Sequence, residues 1–277
     1  MSIAVGAACE PLGEGPTGVA GIDKFRVQGP ERAADALGMP VGACTTFLPS
    51  TVGPADSRPG LGWANGTGTS PEFYLGILNR VASYGTLVTA ANTAASGTGV
   101  EVAACIDQLD AARVDSNGRF ATAGHSQGGS GALNAARLNA KVVVTCPVQL
   151  DGTFTATSSA NDLRGTRTGP ALIMCGGTDN LAPCSSPQNG DGKFEAATVP
   201  VTRISVVGSP HVGTGSPLGP GGPLGPGNPL GDGGLYPALV TTCVEAALGG
   251  DAEASAALQP GGAQNNAVIN RIASRNF

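Results

Sequence analysis

Residues 119–138 read RFATAGHSQGGSGALNAARL: a short apolar run, a turn holding a histidine, a serine and three glycines, then alanine and leucine at helical spacing. Glycine at the start of a helix costs conformational order that alanine would keep. Its concentration around one serine therefore implies that backbone must come close to backbone. Gly124-His125-Ser126-Gln127-Gly128 fits the pattern G-x-S-x-G between a predicted strand and a predicted helix, the setting in which that pattern forms a nucleophile elbow. The residues two before and two after the serine must lack side chains, because the helix returns almost against the strand it left, and Gly129 adds room for the same crossing. The helix N-terminus then sets free N–H groups and a partial positive charge beside the serine oxygen.

Outward from this turn, strand and helix signals alternate. GIDKFRV (22–28), ACTTFLP (43–49) and PGLGWAN (59–65) read as strands, the last running into the turn NGTGT. SPEFYLGILNRVAS (70–83) reads as one helix with Ser70 as its cap and Pro71 at its first position. Strand GTLVTAANT (85–93), helix VEVAACIDQLDAARV (100–114) and strand RFATAG (119–124) precede the turn. After its helix, AKVVVTCPVQ (140–149), GPALIMCGG (169–177) and VPVTRISVVG (199–208) read as further strands. Apolar strands without clean alternation, separated by helices, call for a mostly parallel sheet covered on both faces. The expected fold class is α/β, a doubly wound sheet with helices on both faces, in a single domain over 1–277.

A serine hydroxyl is a weak nucleophile near neutral pH and needs a histidine base with an acid to orient it. The chain has two histidines. His125 sits beside Ser126 and its side chain leaves the turn in another direction, so His211, in GSPHVGTG after the last predicted strand, is the expected base. Two aspartates follow strands at the same sheet edge: Asp179 in CGGTDNLAP and Asp151 after KVVVTCPVQL. Either obeys the order Ser, Asp, His. Asp179 is preferred, because Gly176-Gly177-Thr178 gives a flexible strand exit and the following turn can aim its carboxylate at His211.

Composition narrows the function classes. The chain of 277 residues is 41% hydrophobic and 13% charged, with 15 Lys and Arg against 20 Asp and Glu. Its net charge of −5 and scattered basic residues leave no patch for a phosphate backbone, so no nucleic-acid partner is expected. No apolar run reaches the roughly 18 to 20 residues that cross a bilayer. The opening MSIAVGAACE lacks the basic and long apolar regions of a signal peptide, and the expectation is a soluble, already trimmed chain. Cys9, Cys44, Cys105, Cys146, Cys175, Cys184 and Cys243 form no C-x-x-C pair, which disfavours a metal site; no metal or cofactor is expected. Seven cysteines in this composition point instead to a secreted, oxidising setting with up to three disulfides and one leftover thiol.

GHSQGG, CGGTDNLAP and GSPHVG, in that order and spacing, resemble polyester hydrolases of the cutinase and PET hydrolase type within the α/β-hydrolase superfamily. YPALVTTCVEAALGGDAEASAAL resembles the closing helix of that family, and the resemblance runs from about residue 40 to the C-terminus. It implies Ser126 as nucleophile, Asp179 as acid, His211 as base, and an oxyanion hole from the backbone N–H groups of Gln127 and Thr67. Trp63, Gly66, Gly68, Asp151 and Phe154 are the expected substrate contacts. Those relatives usually carry an aromatic residue in place of Thr67, a methionine in place of Gln127, and a tryptophan after the strand that here ends in VQLDG. Phe154, Tyr236 and Trp63 are the remaining candidates for stacking on an aromatic ring. The chain also carries a Gly/Pro-rich insertion at 214–234, with PLG recurring at Pro217, Pro223 and Pro229, expected to be an exposed loop or one wall of the cleft.

The expected function is a secreted, monomeric serine ester hydrolase acting on short-chain esters and polyesters, with aliphatic polyesters preferred over poly(ethylene terephthalate). Two alternatives use the same residues: a non-catalytic hydrolase-like binding protein, and an amidase or thioesterase, since the triad does not choose the leaving group.

Overall fold

Nine strands form one sheet in the order β1-β2-β4-β3-β5-β6-β7-β8-β9 in a computed structural model that describes residues 16–52, 57–112, 118–153, 163, 169–211, 230, 234–262 and 268–275. The strands are β1 (Met39–Val41), β2 (Cys44–Phe47), β3 (Gly60–Ala64), β4 (Leu87–Ala91), β5 (Phe120–His125), β6 (Val142–Val148), β7 (Ala171–Gly176), β8 (Val201–Val206) and β9 (Ile269–Arg275). From β4 through β8 every neighbouring pair is parallel, while β1, β2 and β9 add antiparallel edges. The α/β class with a mostly parallel sheet is as the sequence predicts.

Helices α1 (Ala20–Asp23), α2 (Leu75–Ser83), α6 (Leu235–Val244) and α7 (Ala252–Leu258) pack together, and α3 (Val100–Ala112) packs on α4 (Gln127–Leu138). A short α5 (Gly190–Ala196) lies against β7 and β8. Successive residues of the central strands serve opposite faces. Leu61 and Trp63 join the core that holds Ile77 of α2 and Leu239 of α6, whereas Ala64 and Phe120 join the core that holds Val102 and Ile106 of α3. A strand buried on both sides has no polar face to show, which is why these segments read as unbroken apolar runs.

Several elements differ from their sequence reading. The segment 22–28 is not a strand: α1 continues into a 3-10 turn over Lys24–Arg26. Ile22 and Phe25, three apart, bury on one side, and the Asp23 carboxylate accepts the N–H groups of Thr17 and Gly18 just ahead of the helix. The 70–83 helix begins as a 3-10 turn over Pro71–Tyr74, and Ser70, though extended, makes no side-chain cap bond. β1, α5 and β9 were not anticipated. Each is short or polar, and β1 and β9 are edge strands with little burial pattern to read.

Three disulfides, Cys44–Cys105, Cys146–Cys243 and Cys175–Cys184, use six of the seven cysteines; Cys9 lies outside the described residues. They tie β2 to α3, β6 to α6, and the end of β7 to the loop beyond it, and are consistent with an oxidising compartment. Among the described residues no helix is long and apolar enough to cross a membrane. Most of the 214–234 insertion lies outside the described residues, but Leu230 is 3% exposed and belongs to the largest core cluster. The exposed-loop expectation therefore fails at that residue, because a leucine in a Gly/Pro-rich stretch still gains by leaving water.

Candidate active site

Parallel strands deliver their following loops to one sheet edge, and ligands in such sheets sit where the strand order reverses. Here β3 is followed in the chain by β4 on one side, whereas β5 pairs with β3 on the other, so the loop after β3 and the turn after β5 face the same crevice. The loops after β7 and β8 open at that edge as well.

Ser126 sits at the β5–α4 turn with φ 59° and ψ −126°, a conformation that a residue with a side chain adopts only at an energetic cost. Its N–H donates to the Val148 carbonyl (3.1 Å), and its carbonyl accepts from Gly129 (2.8 Å) and Asp151 (3.1 Å), which hold the turn from both sides. A Cβ at Gly124 would run into the carbonyl of Gly128, and one at Gly128 into the carbonyl of Ala64 on β3. The glycines are thus required by the close crossing of helix and strand inferred from the sequence.

His211 Nε2 lies 2.8 Å from Ser126 Oγ, and His211 Nδ1 lies 2.7 Å from Asp179 Oδ2. The carboxylate can only accept, so Nδ1 carries the proton of the neutral ring and Nε2 is free to accept the Ser126 hydroxyl proton. Asp179 Oδ1 is occupied by the N–H groups of Leu181 (2.9 Å) and Ala182 (2.7 Å), which leaves Oδ2 for the histidine. The Asp179 side chain is fully covered and that of His211 is 8% exposed. A buried serine–histidine–aspartate network of this form is the arrangement of a triad-type hydrolase.

The two aspartates separate clearly. Asp151 is 1% exposed, and its Oδ1 accepts from the backbone N–H (2.9 Å) and hydroxyl (2.6 Å) of Thr153, closing its own turn rather than meeting His211. Thr67 is exposed, and its hydroxyl donates to Oε1 of Gln127 at 3.3 Å, so the two residues expected to form an oxyanion hole are brought side by side. In their loop the Gly66 N–H is given to Tyr74 Oη (3.1 Å) and the Gly68 N–H to the Ala94 carbonyl (2.8 Å); that of Thr67 has no partner among the described residues. Gly66 and Gly68 therefore shape the loop instead of offering donors to a substrate.

Two of the expected aromatic contacts, Trp63 and Tyr236, are buried in the core. Trp63 is fully buried, with its ring 4.9 Å from that of Tyr74, because its β3 position points into the larger core. Tyr236 is also fully buried; its hydroxyl donates to the Cys175 carbonyl (3.0 Å), and burial raises its pKa. Phe154 lies outside the described residues. Among those described, no group of three or more His, Cys, Asp or Glu side chains is placed to hold a metal ion.

The fold is consistent with the broad α/β-hydrolase superfamily. No protein-family model and no curated protein matches the chain. Sequence reading missed the polar residues under the site, Tyr74, Thr69 and Gln149, which lie within 3.3 Å of one another or of His125. A tyrosine in an apolar helix and a glutamine ending a strand carry no motif, so nothing in the linear pattern marks them.

Proposed function

We propose that the protein is a secreted serine ester hydrolase, one α/β-hydrolase domain with an insertion at 214–234, acting as a monomer on short-chain esters and polyesters. The observation that carries this reading is the continuous hydrogen-bond line from Ser126 Oγ through His211 to Asp179. In the proposed cycle, Ser126 Oγ attacks the ester carbonyl carbon while His211 Nε2 takes its proton, and Asp179 stabilises the imidazolium that forms. The carbonyl oxygen, now an oxyanion, accepts the N–H groups of Gln127 and Thr67. Collapse expels the alcohol, which leaves with the proton from His211. Water, deprotonated by His211, then attacks the acyl-enzyme and releases the acid.

The substrate preference follows from the crevice rim. Thr67 and Leu181, the latter 67% exposed two residues beyond Asp179, are small or aliphatic, while Trp63, Tyr74 and Tyr236 are buried and Phe73 is half-buried. Stacking on an aromatic ring contributes about 0.5 to 1.5 kcal/mol per contact, and this rim supplies little of it. Aliphatic esters and aliphatic polyesters are therefore preferred, with slower release from poly(ethylene terephthalate).

The test is a p-nitrophenyl ester series of rising chain length beside aliphatic and aromatic polyester films, with Ser126→Ala as control. Wild type is expected to turn over the short esters and to be labelled by a fluorophosphonate. Ser126→Ala is expected to lose both while keeping its circular dichroism. Labelling without ester turnover, but with amide or thioester cleavage, reassigns the leaving group. Neither labelling nor turnover makes the protein a non-catalytic relative.

A further inference from the structure

His125 takes no part in these proton transfers, yet it is 2% exposed and touches both halves of the site. Its Nε2 lies 2.9 Å from the carbonyl oxygen of His211 and 3.1 Å from Oε1 of Gln149. Both oxygens only accept, so Nε2 carries the proton and Nδ1 is the acceptor. The Tyr74 hydroxyl, 3.2 Å away, faces Nδ1 and donates to it when the Thr69 hydroxyl, 2.9 Å from Tyr74 Oη, is the donor of that pair; Tyr74 Oη also receives the N–H of Gly66, the residue before Thr67. Gln149 completes the arrangement from the end of β6: its Nε2 donates to the Pro210 carbonyl at 2.5 Å, and its own N–H is anchored on Met174 of β7 at 2.6 Å. Two successive carbonyls, those of Pro210 and His211, are thus each held by a buried side chain.

We propose that His125 is a positioning residue for the hydrolysis assigned above: with Gln149 it clamps the Pro210–His211 backbone so that the His211 imidazole spans Ser126 and Asp179, and through Tyr74 it couples that clamp to the loop bearing Thr67. A phenylalanine would fill the same space, so packing alone does not require an imidazole. What requires it is the need for a donor on one ring edge and an acceptor on the other, facing a carbonyl in the loop after β8 and a hydroxyl at the end of the Pro71–Tyr74 turn. Burial, reinforced by the neighbouring His211 ring, holds the His125 pKa down to about 3. The ring is therefore neutral around pH 7, and the donor and acceptor edges do not exchange roles.

The kinetic half of this proposal rests on the hydrolase reading; the geometric half does not, and the experiment separates them. His125→Phe removes the donor and keeps a ring, whereas His125→Gln keeps an N–H donor close to the Nε2 position. With active sites counted by fluorophosphonate titration, His125→Phe is expected to lose roughly 10- to 100-fold in kcat on p-nitrophenyl butyrate, with KM changed by less than about threefold. His125→Gln is expected to recover most of that loss. The downfield proton NMR signal of the His211 Nδ1–H, which needs no turnover, is expected in wild type and His125→Gln and to be broadened or absent in His125→Phe. Gln149→Leu, which releases the Pro210 carbonyl, carries the same readouts if His125→Phe does not fold.

An unchanged kcat per active site with a sharp downfield signal in His125→Phe overturns the proposal. So does an impairment of His125→Gln equal to or greater than that of His125→Phe, which would show that the donor at Nε2 is not what holds His211. A wild type that shows the downfield signal without turnover or labelling defeats the hydrolase reading instead, and the NMR comparison then decides the positioning role alone.

Discussion

The turn that carries Ser126 and the loops that carry Asp179 and His211 are built by opposite means. The turn is steric: glycines at 124 and 128 let α4 cross β3 and β5 at backbone contact, and the strained backbone of the serine is held by main-chain hydrogen bonds. The motif itself is five residues long, and the backbone of Ala64, Val148 and Asp151 closes around it. The acid and base loops are polar and assembled from a distance. Asp179 is aimed by two local amides, but its loop is closed by the Cys175–Cys184 bridge, and His211 is held through side chains from β5 and β6. A nucleophile can be presented by a local motif, whereas its base must be positioned by the rest of the fold.

The sharpest break in this comparison falls on the polar half. Asp179→Asn is expected to lower kcat by about 10³- to 10⁴-fold, because the amide can no longer hold Nδ1 as the protonated edge of His211. Asp151→Asn, whose carboxylate only closes its own turn, is expected to cost less than about 10-fold under the same assay. A reversed ranking would move the acid to Asp151.

On the steric half, Gly128→Ala sets a methyl against the Ala64 carbonyl, and neither backbone can yield without moving a central strand. Urea unfolding is expected to show a loss of about 3 kcal/mol or more. Activity per folded molecule should fall with it, since Ser126 moves with the turn. Wild-type stability in this variant would mean that the crossing is looser than described.

Removing the Cys175–Cys184 bridge, by replacing both cysteines with serine, opens a loop whose ends are nine residues apart. Chain entropy puts the cost at about 2 to 3 kcal/mol. Esterase activity is expected to fall more steeply with temperature than global unfolding does, because the released segment contains Asp179. Parallel loss of activity and fold would show that the bridge acts on the whole domain.

Acid sensitivity probes the residue shared by both regions. The folded pKa of His125, about 3, lies below its ordinary value of 6.5, so the unfolded chain binds more protons between those values. Stability from this group is complete above pH 6.5 and is lost as pH falls towards 3; between pH 7 and 5.5 the loss is about 1 kcal/mol. Chemical denaturation at the two pH values should show wild type losing this amount relative to His125→Gln, a difference in which groups common to both chains cancel, among them Glu245, whose pKa burial raises to about 7. The smallest effect is expected for Thr67→Val, which removes an exposed hydroxyl contact to Gln127 but keeps the Thr67 amide; kcat should change by about two- to threefold.

The linear order of residues was sufficient for the α/β class, for the serine turn and for the need of its glycines, because each leaves a periodicity or a short motif in the chain. It also narrowed the base to His211 by elimination and favoured Asp179 over Asp151 without excluding the latter. Only the tertiary structure decided between Asp179 and Asp151, since both follow parallel strands and differ only in which way a loop turns. It also took Trp63 and Tyr236 out of the crevice: a strand or helix position assigns a residue to a face, but the face that becomes core is chosen by what packs against it. Leu230 went the same way, drawn into the core from a stretch whose composition reads as surface. The clamp of His125, Gln149 and Tyr74 was invisible for the most physical of these reasons. A buried hydrogen bond between residues 51 or 86 positions apart leaves no periodic trace, and it exists only once the strands have set its partners within 3.2 Å.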